Sequence, residues 1–331
     1  MKKIFMYVTL LTFAVTVSCN KKDNQPEPMP PAELNEFSLK ETEIYLEKGK
    51  SVLVEITSGN GEYVPNLSSE AQKRVQIIVS EDKKAFQITG IAEGDVSTTV
   101  TDVKSKKTIR IVIYVSKQKP YEIYFGELQR WNLKELKHID MQSNTELSKI
   151  TDLGVGVFSG MQNLESIVLP KGLKKISSGA FNNVKIKSII LPEGLQTLEA
   201  NAFEACQHLE SVIIPNSLTK ISVNAFLACG LKTVLIPNSI AVIENQAFNS
   251  CKELTSVTVG TGIKSIGNYA FFGCEKINSF TVEATTPPVI TDNTFESNNT
   301  NITFYVPKTS VAAYKQANVW KKYASRIVAK H

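Results

Sequence analysis

From Phe158 onward, apolar and polar positions recur with a period of 22 or 23 residues. The phenylalanines that mark successive units are Phe158, Phe181, Phe203, Phe226, Phe248 and Phe271. An alanine precedes all of them except the first. A unit this short cannot bury its own apolar side chains, so successive units must stack and cover one another. The pattern therefore predicts a solenoid.

One unit shows which positions point inward. Its apolar residues and proline are Cys206, Leu209, Val212, Ile214, Pro215, Leu218, Ile221, Ala225 and Phe226. The alternation of Val212 and Ile214 before Pro215 predicts a short strand with successive side chains on opposite faces. This pattern resembles the BspA-like type of leucine-rich repeat. The resemblance implies a curved repeat solenoid and a role in adhesion to host or bacterial surface proteins.

The repeat pattern also sets the expected boundaries. We expect an irregular cap and first repeat over 119–157, a leucine-rich-repeat solenoid over 158–306 and a capping helix within 307–331. A last strand is predicted at 302–307 and a helix at 310–327. The apolar face of this helix would be formed by Tyr314, Ala317, Trp320, Tyr323 and Ile327. Trp320 should then be a buried residue of the cap.

Residues 37–118 follow a different period. Short alternating apolar runs recur about every ten residues, separated by turn signals such as Gly59-Asn60-Gly61. Short, evenly spaced strands predict a β-sandwich. Segments 59–63, 88–90 and 100–102 resemble bacterial immunoglobulin-like domains of the Big type, which implies a spacer or a binding module. The expected fold is mainly β: an Ig-like sandwich, then a leucine-rich-repeat solenoid with a short C-terminal capping helix.

The first 18 residues are predicted to be a lipoprotein signal peptide. Lys2 and Lys3 precede an apolar run over 4–17 that is too short to span a bilayer. Residues 16–19 resemble a bacterial lipobox in which Cys19 carries the lipid, the only membrane attachment we expect. The alternative is an ordinary secretory signal with an incidental cysteine.

The segment after the predicted cleavage site resembles the start of an outer-membrane lipoprotein. The residue after Cys19 is Asn20, whereas an aspartate there would disfavour sorting to the outer membrane. The resemblance therefore implies a lipid-anchored protein of the cell envelope, in the outer membrane. The protein could face either outward or into the periplasm. Residues 19–36 are polar and rich in proline, which predicts a tether.

Four cysteines occupy one position of the repeat, three residues after the phenylalanine. They are Cys206, Cys229, Cys251 and Cys274. The same position holds Met161, Val184 and Asn298 in other units, so a small buried side chain suits it. Parallel side chains on adjacent rungs lie beside each other, which disfavours a disulfide. We expect buried free thiols, with one or two disulfides as the alternative, and no zinc site because a linear column cannot form a tetrahedron.

Two columns of strand residues are predicted to point outward. Four residues before the proline position lie Ser166, Ser188, Ser211 and Thr233. Two residues before it lie Val168, Ile190, Ile213 and Leu235. A contiguous exposed aliphatic strip is a candidate binding face. The alternative is that β-branched and hydroxyl side chains simply suit a strand.

Composition and charge exclude other classes of function. The 37 basic and 32 acidic residues give a net charge of +5, too small and too scattered for a nucleic-acid partner. The three histidines are far apart and lack the neighbours that a helical metal site needs. No nucleophile, base and acid recur together, so we expect no enzyme, cofactor or metal.

These observations predict a non-enzymatic lipoprotein that binds a protein partner through its solenoid. The alternative is a glycan-binding accessory protein in nutrient capture, which would require clustered exposed aromatic residues. Only two tryptophans, Trp131 and Trp320, are available for such a role.

Overall fold

The computed structural model describes residues 34–298 and 301–330. The predictions for the signal peptide, for Cys19 and for most of the tether lie outside these residues. The described part of the chain is mainly β and contains two α-helices, of four and six residues. The mainly β fold is therefore confirmed.

The N-terminal region consists of two four-stranded sheets. Its strands are β1 (Ser38–Leu39), β2 (Glu43–Glu47), β3 (Ser51–Ser58), β4 (Tyr63–Pro65), β5 (Val75–Val79), β6 (Ala85–Gly90), β7 (Gly94–Asp102) and β8 (Thr108–Ser116), with α1 (Ser69–Gln72) between β4 and β5. One sheet has the order β1-β3-β6-β5 and is antiparallel throughout. The other has the order β2-β8-β7-β4, in which β2 and β8 run parallel.

Alternation along these strands builds one core between the two sheets. Ile111, Ile113 and Val115 of β8 are buried, as are Phe86 and Ile88 of β6. Residues between them face outward, as period-2 geometry requires. Residues 37–118 thus form two packed sheets, while their relationship to immunoglobulin-like domains stays a prediction.

The strands of the solenoid lie on two faces. The first face contains β11 (His138–Asp140), β13 (Ser166–Val168), β15 (Ser188–Ile190), β17 (Ser211–Ile213), β19 (Thr233–Ile236), β21 (Ser256–Val259), β23 (Ser279–Val282), β24 (Thr303–Val306) and β25 (Ile327–Ala329). The second face contains β9 (Tyr121–Tyr124), β10 (Glu127–Trp131), β12 (Asp152–Leu153), β14 (Lys175–Ile176), β16 (Thr197–Leu198), β18 (Lys220–Ile221), β20 (Val242–Ile243) and β22 (Ser265–Ile266). Those that pair run parallel, except that β9 is antiparallel to β10. These strands make about nine turns and span residues 121–329.

The repeated phenylalanines form a single file of stacked rings through the solenoid. The rings of Phe181, Phe203, Phe226, Phe248 and Phe271 have centroid separations of 4.9–5.4 Å and interplanar angles of 1–9°. Each ring is fully buried because the next rung covers it. Aromatic pairs of this kind contribute about 0.5–1.5 kcal/mol beyond the burial of their area.

The Ala-Phe loops are joined by backbone hydrogen bonds that run along the whole file. The amide of Phe181 donates to the carbonyl of Ala202 at 2.8 Å, and that of Phe203 donates to Ala225 at 2.9 Å. The same bond recurs in the following rungs. Each loop therefore uses the next one to satisfy a buried donor that would otherwise be costly to desolvate.

An aromatic cluster joins the N-terminal sheets to the first rungs. Tyr45 stacks on Tyr114 at 4.9 Å, and its ring contacts Trp131 edge-on at 5.3 Å. Trp131 also stacks on Tyr121 at 5.8 Å and reaches the first ring of the file, Phe158, at 5.6 Å. The apolar core of the solenoid thus continues into the sandwich, and the two regions belong to one compact unit.

The prediction of one helix over 310–327 is wrong. The structure has a 3₁₀ turn at Lys308–Ser310, helix α2 at Val311–Gln316, and a 3₁₀ helix at Trp320–Arg326. The chain becomes extended at Ala317, Val319 has a left-handed φ of 62°, and β25 follows. Two causes favour this arrangement: β-branched residues suit strands, and β25 covers the open edge of β24, with Ile327 opposite Phe304.

Trp320 nevertheless has the role expected of it. The indole is fully buried, and its Nε1 donates to the carbonyl of Pro288 at 2.7 Å. The cap is closed by its aromatic contacts with Phe304 and Tyr314.

The phenylalanine file predicts a large cost for removing one ring from its middle. Phe203→Ala should reduce the free energy of unfolding by about 3–5 kcal/mol, because the rungs on either side cannot close the cavity. Chemical denaturation followed by circular dichroism measures this. The control is Phe272→Ala, which lies next to the file but is only partly buried and should cost about 1 kcal/mol. Equal losses for the two variants would contradict the proposed role of the file.

Candidate interaction face of the solenoid

The first face of the solenoid carries an exposed strip of aliphatic side chains. We call Val168, Ile190, Ile213 and Leu235 the aliphatic strip; their exposed fractions are 45%, 67%, 55% and 68%. The residue before each of them points inward and is buried. The strip is contiguous in register where adjacent strands pair, with Ile190 directly opposite Ile213.

A column of hydroxyl side chains runs beside the strip. Its members are Ser166, Ser188, Ser211 and Thr233, all of which are exposed. Both columns lie where alternation along the strands predicts them. The structure therefore brings all eight sequence-predicted residues to one face of the stack.

Two open depressions flank the aliphatic strip. One has a volume of about 530 Å³ and is lined by Val168, Ile190 and Glu193, among others. The second, about 440 Å³, is lined by Ile213, Leu235 and further residues. Sequence reasoning missed the residues just after the proline position, such as Glu193, although they keep the repeat register.

Charges at the border of the strip are paired across rungs. Lys137 lies 3.5 Å from Glu165, and Lys232 lies 2.5 Å from Glu210. The hydrogen bond and charge of Lys232 hold the pKa of Glu210 below its usual value. These exposed pairs contribute little stability and leave the border close to neutral.

The strip becomes more polar in later rungs and apolar again at the end. Leu235 lies opposite Thr258, which lies opposite Thr281, and the column then continues through Tyr305 to Val328. Sequence reasoning missed Val328 because its segment was expected to be helical.

The four repeat cysteines are free and buried, as expected. Each thiol donates to the carbonyl of a phenylalanine in the file, from Cys206 on Phe181 at 2.9 Å to Cys274 on Phe248 at 3.2 Å. Asn298, at the same repeat position, donates to Phe271 at 2.6 Å. In these five rungs the column supplies a side-chain donor to the phenylalanine carbonyl, which explains why asparagine fits at position 298.

Burial disfavours the thiolate form of three of these cysteines. It raises the pKa of Cys251 to about 12 and raises those of Cys229 and Cys274 as well. Since the thiolate is the nucleophile, the folded column is poorly suited to chemistry. Among the described residues, no group of histidine, cysteine or acidic side chains is arranged to hold a metal ion. Nor does any described helix have the length and apolar character needed to cross a bilayer.

Comparison with known families identifies the repeats. The model of the BspA type leucine-rich repeat region matches residues 132–255 and 224–319, with six copies and more than half of the chain covered. The chain belongs to this family. The BspA-type repeats thus account for the solenoid, and the matching family is a repeat scaffold. No curated protein matches the sequence.

Solved structures with similar folds include other bacterial leucine-rich-repeat proteins. One from Eubacterium ventriosum is 21% identical with a TM-score of 0.45, and the match covers 58% of this chain and 53%, about half, of that protein. A leucine-rich-repeat protein of T. pallidum is 20% identical with a TM-score of 0.36, covering 62% and 91%. The pneumococcal vaccine antigen PcpA is 15% identical with a TM-score of 0.35, covering 66% and 73%.

The thiol column predicts strong protection from alkylation. With the pKa of Cys251 raised from 9.0 to about 12, the thiolate fraction at pH 8 falls about a thousandfold. Native protein treated with iodoacetamide should therefore show no label at the four repeat cysteines by mass spectrometry. After unfolding in guanidinium without reductant, all four should be labelled. Absence of label in the unfolded sample would instead indicate disulfides.

Proposed function

We propose that this protein binds a protein partner through the aliphatic strip and the adjoining hydroxyl column. The observation that carries the proposal is the exposure of four aliphatic side chains in one row whose members line two depressions. Large exposed apolar patches on soluble surfaces are typical of interaction sites. Buried apolar anchors surrounded by polar groups supply most of the energy of protein interfaces.

The later rungs argue against strand propensity as the reason for the strip. Thr258 and Thr281 occupy the same column on β21 and β23, and these strands pair as regularly as the earlier ones. Threonine satisfies a strand position without exposing a large apolar surface. The aliphatic residues of the first four rungs are therefore not needed for pairing, which supports a role in binding.

The glycan-binding alternative has less support. Sugar sites commonly use exposed aromatic rings, and the strip contains none. Trp131 and Trp320 are 1% and 0% exposed, because both lie in the core. A protein partner suits the strip better than a glycan does, because a protein surface can cover uncharged aliphatic side chains and the border of the strip is close to neutral.

We place this binding protein in the cell envelope, held by a lipid on Cys19. In this proposal residues 19–36 form the tether and residues 37–118 form an Ig-like spacer. The lipobox-like residues 16–19 and the proline-rich segment support it. Such an anchor would keep the strip available to partners at the outer membrane.

The first test replaces two residues of the strip with charged ones. Ile190→Lys together with Ile213→Lys should lower binding of the purified protein to intact bacterial or epithelial cells at least about tenfold, because lysine cannot be desolvated in the interface. Both side chains are exposed, so the melting temperature should change little. Flow cytometry with labelled protein measures the binding.

The matched control is Leu53→Lys, because Leu53 has the same exposed fraction as Ile190, 67%, but lies on the sandwich. This variant should bind like the wild type. Protease treatment of the target cells should abolish binding, whereas periodate should leave it intact. Unchanged binding by the double variant would refute the strip as the site, and sensitivity to periodate alone would favour the glycan alternative.

A second test concerns the anchor. Cys19→Ser should move the protein from the membrane fraction to the soluble fraction and abolish incorporation of labelled fatty acid, because no other lipid acceptor is proposed. Fractionation of producing cells with immunoblotting measures the change. The Cys206→Ser variant serves as the control and should remain in the membrane fraction. Retention of the Cys19→Ser variant in membranes would contradict lipid anchoring.

A further inference from the structure

The hairpin between β9 and β10 ends in two exposed aromatic residues. Its two-residue turn consists of Phe125 and Gly126, both with positive φ, 49° and 81°. Phe125 is 93% exposed and Tyr124 is 62% exposed. We call Tyr124 and Phe125 the aromatic tip.

Phe125 is unfavourable for folding in two ways. A hairpin turn with two positive φ values favours Asn-Gly, since residues with a Cβ are strained in the left-handed region. The ring also gains no burial, because it is almost entirely in water. Neither the backbone nor the core of the solenoid requires a phenylalanine at this position.

The other large apolar or aromatic residues with positive φ, Val319 and Tyr269, are compensated by packing. Val319 packs against the core of the C-terminal cap, and Tyr269 contacts Phe272 at 5.4 Å. Among the described residues, the one ring contact of Phe125 is with Tyr124, which is itself exposed, at 4.6 Å. Strain that the fold does not compensate points to a function for the residue.

The geometry of the tip disfavours a sugar ligand. The two rings lie edge-to-face at 72°, so they do not form a flat platform for stacking. The hairpin also disfavours attraction to anionic lipids. Residues 121–131 contain Glu122, Glu127 and Arg130, a net charge of −1, and Arg130 lies 3.9 Å from Glu122.

An uncharged bilayer interface suits an aromatic tip with this charge. Aromatic side chains concentrate at the boundary between headgroups and acyl chains. Under the proposed anchoring, the lipid on Cys19 lies 16 residues before Asn35, a span of at most about 55 Å. Anchoring within this reach gives a weakly binding tip a high effective concentration at the membrane.

We infer that the aromatic tip, Tyr124 and Phe125, is a second membrane contact that inserts into the interface of a zwitterionic bilayer. The inference rests on the proposed lipid anchor and adds to it. Two attachment points restrict how the rigid solenoid can turn relative to the membrane. The aliphatic strip would then be presented to partners in a restricted set of orientations.

The test uses a tryptophan at the tip as a depth probe. The two natural tryptophans are buried, so Phe125→Trp in the full lipidated chain adds a tryptophan exposed to its surroundings. In vesicles of brominated phosphatidylcholine, this residue should show a blue-shifted emission and lose a large part of its intensity. Leu53→Trp and Leu235→Trp, at sites that are 67% and 68% exposed, should keep the emission seen in unbrominated vesicles.

A second preparation separates the tip from the anchor. Here a histidine tag replaces residues 1–18, Cys19 is changed to serine, and the chain is held on vesicles that contain a nickel-chelating lipid. Quenching of the Phe125→Trp variant in this preparation supports membrane insertion of the aromatic tip even if Cys19 proves not to be lipidated. Absence of quenching in both preparations overturns the inference, as does equal quenching of the two control variants.

Two further measurements separate interfacial insertion of the tip from charge-driven binding and from a role in the turn alone. Adding phosphatidylglycerol should not increase the quenching, and an increase would overturn the inference in favour of charge-driven binding. Phe125→Asn should raise the melting temperature by about 2 °C, because asparagine suits the turn. The same change should reduce protection of Tyr124 from iodide quenching on vesicles, and unchanged protection would count against insertion.

Discussion

The fold depends on the coverage of each rung by the next one. A rung of 22 or 23 residues leaves one face of its phenylalanine ring, its Ala-Phe amide and the edge of its strand exposed, and the following rung covers all three at once. The ring stacking of Phe203 on Phe226 at 5.4 Å and the hydrogen bond between their loops are two results of the same repeat distance. Stability is therefore cooperative between neighbours and cannot be assigned to a single unit.

The same dependence makes the two ends of the stack its weakest points. At the N-terminal end the aromatic cluster around Tyr45 and Trp131 covers the first rung, and the amide of Asp140 donates to Glu43 of the sandwich at 3.0 Å. At the C-terminal end, β25 pairs with β24 and Trp320 closes the core. The two sheets of residues 37–118 therefore also cover the first rung, so that a spacer in this position would be joined to the solenoid through a shared core.

The repeat made much of the structure predictable, and its ends were the exception. The inward positions, the buried thiols at Cys206 and its equivalents, and the outward strip follow from register, since a periodic pattern places each residue relative to its neighbours. The segment 310–327 has no repeat, and its spacing of aromatic residues fits a helix face. The conformation of this segment is set by pairing of β25 with the open edge of β24. This is a tertiary effect that a local sequence pattern cannot predict. Phe125 was missed for a related reason. Its importance comes from its positive φ, which the sequence alone does not reveal.

Because the inward positions carry the stability, the outward positions are free to vary without loss of fold. Such a position can hold a polar residue without loss of strand pairing, as Thr258 and Thr281 show for the column of the aliphatic strip. Where such positions hold large apolar residues, as at Ile190, or where a turn holds a strained ring, as at Phe125, folding does not account for the choice. A solenoid therefore separates residues that build the structure from those that act on its surroundings more clearly than a globular core does. The strip and the tip are surfaces that this separation identifies as suited to contacts outside the chain.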